Sequence, residues 1–253
     1  MNNLIALDSL QNSGCEYAFY FQPAGRAAVI RSNCQRFSSA SIIKVPILLA
    51  WVHLERQGLL DRTELCCLDD EPQVQGAGFS WLLQARRLPY QDVLLMMIAL
   101  SDNLCTNLIL RRMGLERLQK VLREDLKLPG SEVQRKLMDY EARARGLDNW
   151  ITATDCMRYF DLVEQLTPAE KAWVEPMLLA NQDGSMLMRD LPRDELAFYH
   201  KTGCIPHVFH DWGYTRTARI FLLTQQVQDE ALVNRAFGEL GQMLISPTGA
   251  STG

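Results

Sequence analysis

The sequence lacks the features of a membrane or exported protein. Its longest apolar stretches, residues 45–52 and 93–100, are about half the length needed to cross a bilayer. The first twenty residues contain no Lys or Arg, so the basic region that opens a signal peptide is missing. We therefore expect no membrane partner and a cytoplasmic location, or a periplasmic one if a leader was removed.

The chain also lacks a basic excess, a glycine-rich phosphate loop and any CxxC pair. The net charge is −4, whereas nucleic-acid binders are usually basic, so we expect no nucleic-acid partner. The cysteines are odd in number, seven in all, which argues against a disulfide framework and a thiolate zinc site. We predict free thiols, no metal and no other cofactor.

What the chain does contain is an ordinary globular composition, with 47% hydrophobic and 22% charged residues over 253 positions. Strand patterns occur near both termini, and helical periodicity fills the middle. The predicted strands cover residues 16–22, 26–31, 197–204, 210–215 and 218–226.

This order predicts an α+β fold in a single domain. An antiparallel five-stranded sheet is built from both termini, and helices at the N- and C-terminal ends flank it. The sheet belongs to an α/β lobe of residues 1–45 and 190–253, approximately, and an all-helical lobe of about residues 46–189 is inserted. A cleft between two such lobes is a natural place for a site.

The first motif is Ser41-Ile-Ile-Lys44, at the start of a predicted helix that three serines precede. Residues three apart on a helix share a face, so the two side chains can meet. A serine needs a base to become a nucleophile, and a lysine can be that base if burial keeps it partly neutral. On its own, however, the motif favours a capping serine and a surface lysine.

The second motif, Ser101-Asp102-Asn103, follows an apolar helix. Its serine could pass a proton to a leaving group, and its asparagine could hold a substrate amide. All three residue types are also preferred helix N-caps, so the motif can begin the next helix at the same time.

The third motif is Lys201-Thr202-Gly203, inside a predicted strand. A second cationic group near Lys44 would lower the pKa of Lys44 and attract a substrate carboxylate. Gly203 leaves space where a substrate could lie along the strand edge. A turn or bulge is the alternative interpretation.

Each motif occurs once, and the order SxxK, SDN, KTG resembles that of class A β-lactamases and penicillin-binding proteins. Residues 37–48, 97–107, 200–203 and 210–213 resemble that family's motif surroundings, and the resemblance runs from about residue 15 to 245. It implies an acyl-transfer enzyme that acts on a small-molecule or peptide-like substrate.

The resemblance also implies roles for individual residues. Ser41 would be the acylated nucleophile, Lys44 would accept its proton, and Ser101 would shuttle a proton to the leaving group. Asn103 would bind the acyl side-chain amide, and Lys201 and Thr202 would bind the substrate carboxylate. The backbone N–H groups of Ser41 and Cys204 would form the oxyanion hole.

One element of the family is missing. Efficient class A β-lactamases carry an ExxLN motif between SDN and KTG, and its Glu activates the water that clears the acyl-enzyme. Here Leu137 stands where that Glu is expected, and Asp139 and Glu141 are the nearest carboxylates. We predict slow deacylation, with Asp139 or Glu141 as a stand-in base or, alternatively, as solvated or ion-paired surface residues.

Two hypotheses remain open. The chain is a serine hydrolase of β-lactams, esters or D-amino-acid amides, or it is a non-turnover penicillin- or peptide-binding module of the same fold. A zinc site at His200, His207 and His210-Asp211 is a weaker alternative, because His200 and His210 match strand positions of a family that uses no metal.

Overall fold

A computed structural model describes residues 4–192 and 195–245 of the chain. Its main sheet is antiparallel with five strands in the order β2-β1-β9-β8-β7. These strands are β1 (Glu16–Pro23), β2 (Val29–Ser32), β7 (Tyr199–Ile205), β8 (Val208–Tyr214) and β9 (Ala218–Gln225). The predicted α+β fold, with its sheet built from both ends of the chain, is thereby confirmed.

In the described part of the chain, seven α-helices lie between β2 and β7, and one lies at each end. They are α1 (Ile5–Asn12), α2 (Lys44–Arg56), α3 (Tyr90–Ala99), α4 (Asn103–Met113), α5 (Leu115–Lys120), α6 (Tyr140–Ala144), α7 (Ala153–Glu164), α8 (Pro168–Leu179) and α9 (Glu230–Gly241). Within the described ranges, no helix is both long and apolar enough to span a bilayer. The division into two lobes stays a prediction.

The central strands are buried on both faces, and their alternation separates two hydrophobic cores. In β1, Tyr17, Phe19 and Phe21 pack with α1 and α9, while Ala18 and Tyr20 point to the opposite core. A period of two in a strand places successive side chains on opposite faces, so a continuous apolar run fits this position. The second core contains the buried face of α2, which places the start of that helix beside the sheet.

Most strand boundaries differ from the prediction by one to three residues, and two of these differences arise in turns. β2 begins at Val29 instead of residue 26, since the Arg26 N–H donates to the Pro23 carbonyl (3.1 Å) and extends the turn. β8 begins at residue 208, because β7 and β8 are joined by only Pro206 and His207. His207 has a φ of 64°, a left-handed conformation used in tight hairpins.

The serines before the nucleophile do not cap α2. Ser39 precedes a 3₁₀ turn (Ala40–Ile43) without making a side-chain capping bond, and α2 follows at Lys44. The Ser38 hydroxyl instead donates to Asp148 (3.2 Å), and the Ser39 N–H donates to the Asn149 carbonyl (2.8 Å). The nucleophile segment is thus tied to a loop more than a hundred residues away.

Two small sheets were not predicted. In one, β3 (Arg36–Ser38) pairs with β6 (Trp150–Thr152), and this pair ties the Ser41 segment to the same distant loop. In the other, β4 (Leu65–Cys67) pairs with β5 (Arg87–Pro89). All four strands have three residues, too few for an alternating pattern to be recognised.

Candidate active site

Lys44 is the centre of the site. Its ammonium nitrogen lies 3.0 Å from Ser41 Oγ, 3.0 Å from Ser101 Oγ, 2.7 Å from the Ser101 carbonyl oxygen and 3.1 Å from Asn103 Oδ1. The side chain is completely buried. The structure therefore joins the first two sequence motifs through one lysine.

The electrostatics of the two site lysines differ. Burial, followed by the charge of Lys201, holds the pKa of Lys44 well below its ordinary value. Burial also lowers the pKa of Lys201, to about 8, but Asp183 and Asp211 act in the opposite direction. Near neutral pH, Lys201 therefore keeps its proton more readily than Lys44, and Lys44 is the better proton acceptor.

Ser101 adopts a strained backbone conformation. Its φ is 55°, in the left-handed region that non-glycine residues seldom occupy. This conformation directs both its hydroxyl and its carbonyl oxygen at Lys44. Strain of this kind persists where surrounding contacts enforce it, often at functional sites.

Asp102, the middle residue of SDN, links the site to α4 and to the loop that contains Ser80. It is the N-cap of α4 and accepts the Cys105 N–H (2.9 Å), as the capping alternative predicted. It also accepts the N–H and hydroxyl of Ser80, at 2.8 and 2.7 Å. Gly78 packs against its carboxylate so closely that a Cβ there would overlap it. Asp102 therefore fastens the loop of residues 76–82 beside the nucleophile.

β7 brings the third motif against Ser41, the predicted nucleophile. A Cβ on Gly203 would lie 2.9 Å from the Ser41 backbone nitrogen, closer than real Cβ contacts allow, so only glycine permits this approach. Ser41, Ser101, Thr202 and Cys204 line one cleft of about 660 Å³. The three motifs thus converge on Ser41.

Asp183 also lines this cleft, and the motif search did not identify it. It lies between α8 and β7, in a polar segment whose sequence carries no recognisable pattern. Its pKa is lowered: burial raises it, but hydrogen bonds from Ser185 and Thr202 and the charge of Lys201 outweigh the burial. A carboxylate is therefore present at the Lys201 end of the cleft.

The histidines weighed as metal ligands have other roles. His200 Nδ1 lies 3.0 Å from Asp211 Oδ1 in a buried pair. His210 Nε2 donates to the Ser38 carbonyl (2.8 Å), and its Nδ1 accepts the Thr224 N–H (3.0 Å). His207 is the hairpin turn residue, and its Nδ1 contacts the Val227 carbonyl (2.7 Å). Among the described residues, no group of three or more potential ligands is arranged around a metal position.

The loop expected to carry a deacylation base is closed by a salt bridge. Arg135 contacts Asp148 through two nitrogens, at 3.0 and 2.6 Å. Inside the loop, the Asn107 side chain donates to the Leu137 carbonyl (3.1 Å) and accepts the Leu137 N–H (2.8 Å). Asn107 is one helical turn beyond Asn103 on α4, so Leu137 is held close to the Lys44 cluster.

The two carboxylates named as stand-in bases are engaged elsewhere. Asp139 is the N-cap of α6 and accepts the Ala142 N–H at 2.9 Å. Glu141 is exposed in the first turn of the same helix. Neither residue lines the Ser41 cleft, and neither does Leu137.

Comparison with known proteins agrees with this arrangement. The model of the Beta-lactamase2 family, described as a beta-lactamase enzyme family, matches residues 2–246. No sequence among curated proteins matches the chain. The chain belongs to the β-lactamase enzyme family.

Three similar solved structures share the fold at low sequence identity. The β-lactamase of Sphaerobacter thermophilus DSM 20745 is 22% identical, with a TM-score of 0.82 over 95% of this chain and 94% of that one. An ancestral class A β-lactamase is 18% identical, with a TM-score of 0.82 and coverage of 96% and 98%. PBP-A is 20% identical, with a TM-score of 0.79 and coverage of 96% of each chain.

PBP-A is also represented by a leucine-to-glutamate variant. That structure is described as an acyl-enzyme complex with penicillin G, and it is 19% identical to this chain with a TM-score of 0.79 over 96% of each. Family membership supports a serine hydrolase of the β-lactamase or penicillin-binding type.

Proposed function

We propose that this protein is a serine hydrolase that forms an acyl-enzyme through Ser41 with β-lactams or related amides and esters, and that releases the acyl group slowly. The observation that carries the proposal is the position of Lys44. A buried amine with a lowered pKa lies 3.0 Å from the hydroxyls of both Ser41 and Ser101. This is hydrogen-bond reach for a base and for the next group in a proton relay.

The acylation step follows from these contacts. Ser41 Oγ bonds to the substrate carbonyl carbon while its proton passes to the neutral amine of Lys44. Negative charge on the carbonyl oxygen is stabilised by the N–H groups of Ser41 and Cys204, where each such donor contributes roughly 3 kcal/mol in comparable enzymes. The bond to the leaving nitrogen or oxygen then breaks as that atom takes the proton by way of Ser101 Oγ.

Asn103 has a more limited part in this scheme. Its Oδ1 accepts from Lys44, and one of its two amide hydrogens is donated to the Gln75 carbonyl (3.1 Å). One amide hydrogen is left to hold a carbonyl oxygen of the acyl side chain.

Leu137 supports the slow release. Attack of water on the ester needs a base within roughly 3 Å of the water, and an aliphatic side chain cannot supply one. A similar structure, a variant of PBP-A, is described as an acyl-enzyme complex with penicillin G, which supports acylation by penicillin on this fold. A non-turnover penicillin- or peptide-binding role is the second candidate. This role would apply if the leucine at position 137 leaves the acyl-enzyme without a base and release is therefore negligible.

Intact-protein mass spectrometry after mixing with penicillin tests the proposal. The parent should gain the mass of one penicillin, because ring opening adds the whole molecule to Ser41. Ser41→Ala should gain nothing, while Ser39→Ala, which removes a neighbouring hydroxyl, should be labelled like the parent. Labelling of Ser41→Ala, or no reaction of the parent with penicillin and with simple aryl esters, would contradict the proposal.

A further inference from the structure

Asp183 carries a negative charge into the cleft at the Lys201 end. It lines the same cavity as Ser41, Thr202 and Cys204, and it is half-buried. None of the three motifs contains it, and the acylation scheme above does not use it.

The orientation of the Asp183 carboxylate is fixed. Its Oδ1 accepts the N–H and the hydroxyl of Ser185, at 3.0 and 2.6 Å. Its own N–H donates to Asn181 Oδ1 (3.0 Å), and Thr202 adds a hydrogen bond to the carboxylate. These bonds and the Lys201 charge keep its pKa below the ordinary value despite the burial, so the group is ionised at neutral pH.

Lys201 is the cation that the sequence suggested would attract a substrate carboxylate. It is fully buried, and its ammonium group donates to the Thr202 carbonyl at 2.8 Å. Asp183 and Asp211 both act on it as negative charges. Among the residues that the structure describes, those lining the cleft include no lysine or arginine. The negative charges of Asp183 and Asp211 therefore offset the positive charge of Lys201 at the place where a substrate carboxylate would have to bind.

A substrate carboxylate beside Thr202 would lie next to the Asp183 carboxylate. Two like charges in a partly desolvated cleft repel each other, while a neutral or cationic group in the same place is tolerated or attracted. A hydroxyl or N–H group of a neutral or cationic substrate could still donate a hydrogen bond to the Thr202 hydroxyl oxygen.

We propose that Asp183 is a specificity-determining residue, which makes Ser41 react preferentially with substrates whose leaving group carries no carboxylate. This inference rests on the proposed acylation of Ser41. It names the substrate class as esters or amides with a neutral or cationic leaving group, and it places carboxylate-bearing substrates such as penicillin among the less favoured ones.

The test uses two aryl esters with the same acyl group. Phenylacetyl esters of 3-hydroxybenzoate and 3-hydroxybenzamide differ only in whether the leaving phenol carries a carboxylate. Both give the same acyl-enzyme, so a difference in kcat/KM, corrected for spontaneous hydrolysis, reports on acylation alone.

We expect the parent to favour the amide probe by about tenfold, since one repulsive charge in a partly exposed cleft has an effect of this order. Asp183→Asn keeps an acceptor for Ser185 and should raise kcat/KM for the carboxylate probe by about tenfold, with the amide probe changed less than twofold. Asp190→Asn removes an exposed aspartate outside the cleft and should leave both values unchanged. In the parent, added NaCl should also reduce the preference, because salt screens the repulsion.

Three results would overturn the inference. They are a parent that favours the carboxylate probe, an Asp183→Asn variant whose probe preference equals that of the parent, and a preference that does not respond to salt. If intact mass shows that neither probe nor penicillin acylates Ser41, the proposed function itself fails, and the specificity inference falls with it. Labelling of Ser41 without probe discrimination removes only the role of Asp183.

Discussion

At the residue scale, the proposed chemistry depends on a lysine whose neutral form is favoured by its surroundings. Four oxygen atoms surround the Lys44 nitrogen, yet none belongs to a carboxylate. Burial and the nearby Lys201 therefore lower its pKa without a strong opposing partner, although Asp102 acts weakly in the other direction. This is the environment in which a lysine can serve as a general base.

Lys44→Arg tests this role. A guanidinium keeps the positive charge but does not lose its proton in this range, so we expect acylation by penicillin to be abolished. The measurement is the rate of adduct formation by intact mass, and circular dichroism and thermal unfolding check that the variant is folded. An Arg variant that acylates at the parental rate would show that Lys44 is not the base.

A substitution at Ser101 can separate the effect of its hydroxyl on acylation from the effect of its backbone strain on stability. Ser101→Gly removes the hydroxyl, and glycine adopts a φ of 55° without strain. The free energy of unfolding should therefore be equal to that of the parent or higher by up to about 1 kcal/mol. The rate of acylation should fall at least tenfold, because the proton has no relay to the leaving group. Unchanged acylation in Ser101→Gly would remove Ser101 from the mechanism.

At the scale of elements, the proposed slow release of the acyl group depends on the loop from Arg135 to Asp148. The Arg135–Asp148 salt bridge closes the loop, and Asn107 holds Leu137 from the side of α4. The backbone of Leu137 is thereby held at Asn107, which lies one helical turn from Asn103 on α4, although the Leu137 side chain is chemically inert.

Leu137→Glu should shorten the lifetime of the penicillin adduct at least tenfold, because it supplies a base at this fixed position. Leu137→Gln, which is matched in shape but not basic, should leave the lifetime near the parental value. Lifetimes are measured by intact mass after excess penicillin is removed. Equal lifetimes in the Glu and Gln variants would show that position 137 does not face the ester.

The two native carboxylates of this loop serve as controls in the same measurement. Asp139→Asn preserves the cap of α6, and Glu141→Gln changes an exposed side chain, so neither should alter adduct lifetime. A longer-lived adduct in either variant would identify that residue as the working base.

Much of the fold and of the motif geometry could be predicted from the sequence, because local signals were strong. α3 is the apolar helix expected before the SDN motif, and α4 begins within that motif, with Asp102 as its N-cap. The spacing of Ser41 and Lys44 placed both on one face, and the Ser41–Lys44 contact shows this.

The rest depends on contacts between distant segments. No sequence pattern indicates that Asn107 contacts Leu137, thirty residues away. Asp183 lies in a segment that has no periodicity and no motif. The hydroxyl of Ser38, expected to cap a helix, instead bonds Asp148, because the β3–β6 pairing brings the two strands together. The partners of these side chains are determined by tertiary structure, so no local sequence pattern indicates them.

At the scale of the whole molecule, His210 connects the nucleophile segment to the sheet. It lies in β8, donates to the Ser38 carbonyl and accepts from Thr224 in β9. Both ring nitrogens are used in the neutral form, and burial lowers the pKa from 6.5 to about 4.

This predicts a loss of stability in mild acid. Between pH 6.5 and 4 the unfolded chain binds a proton at His210 that the folded chain excludes, so the contribution is present above pH 6.5 and is lost as the pH falls towards 4. The lost free energy of unfolding is about 3 kcal/mol. Urea unfolding at pH 7 and pH 4 should show a smaller difference for His210→Gln than for the parent, and equal differences would contradict the assignment.

A time course with penicillin separates acylation of Ser41 from release of the acyl group. The concentrations of adduct and of hydrolysed penicillin are followed together from the first turnover onwards. We predict a burst of about one equivalent per Ser41, followed by a much slower steady rate equal to the decay of the adduct. Continuous clearance of penicillin without a burst and without an accumulated adduct would contradict the account, because it would require an efficient base that the loop around Leu137 does not provide.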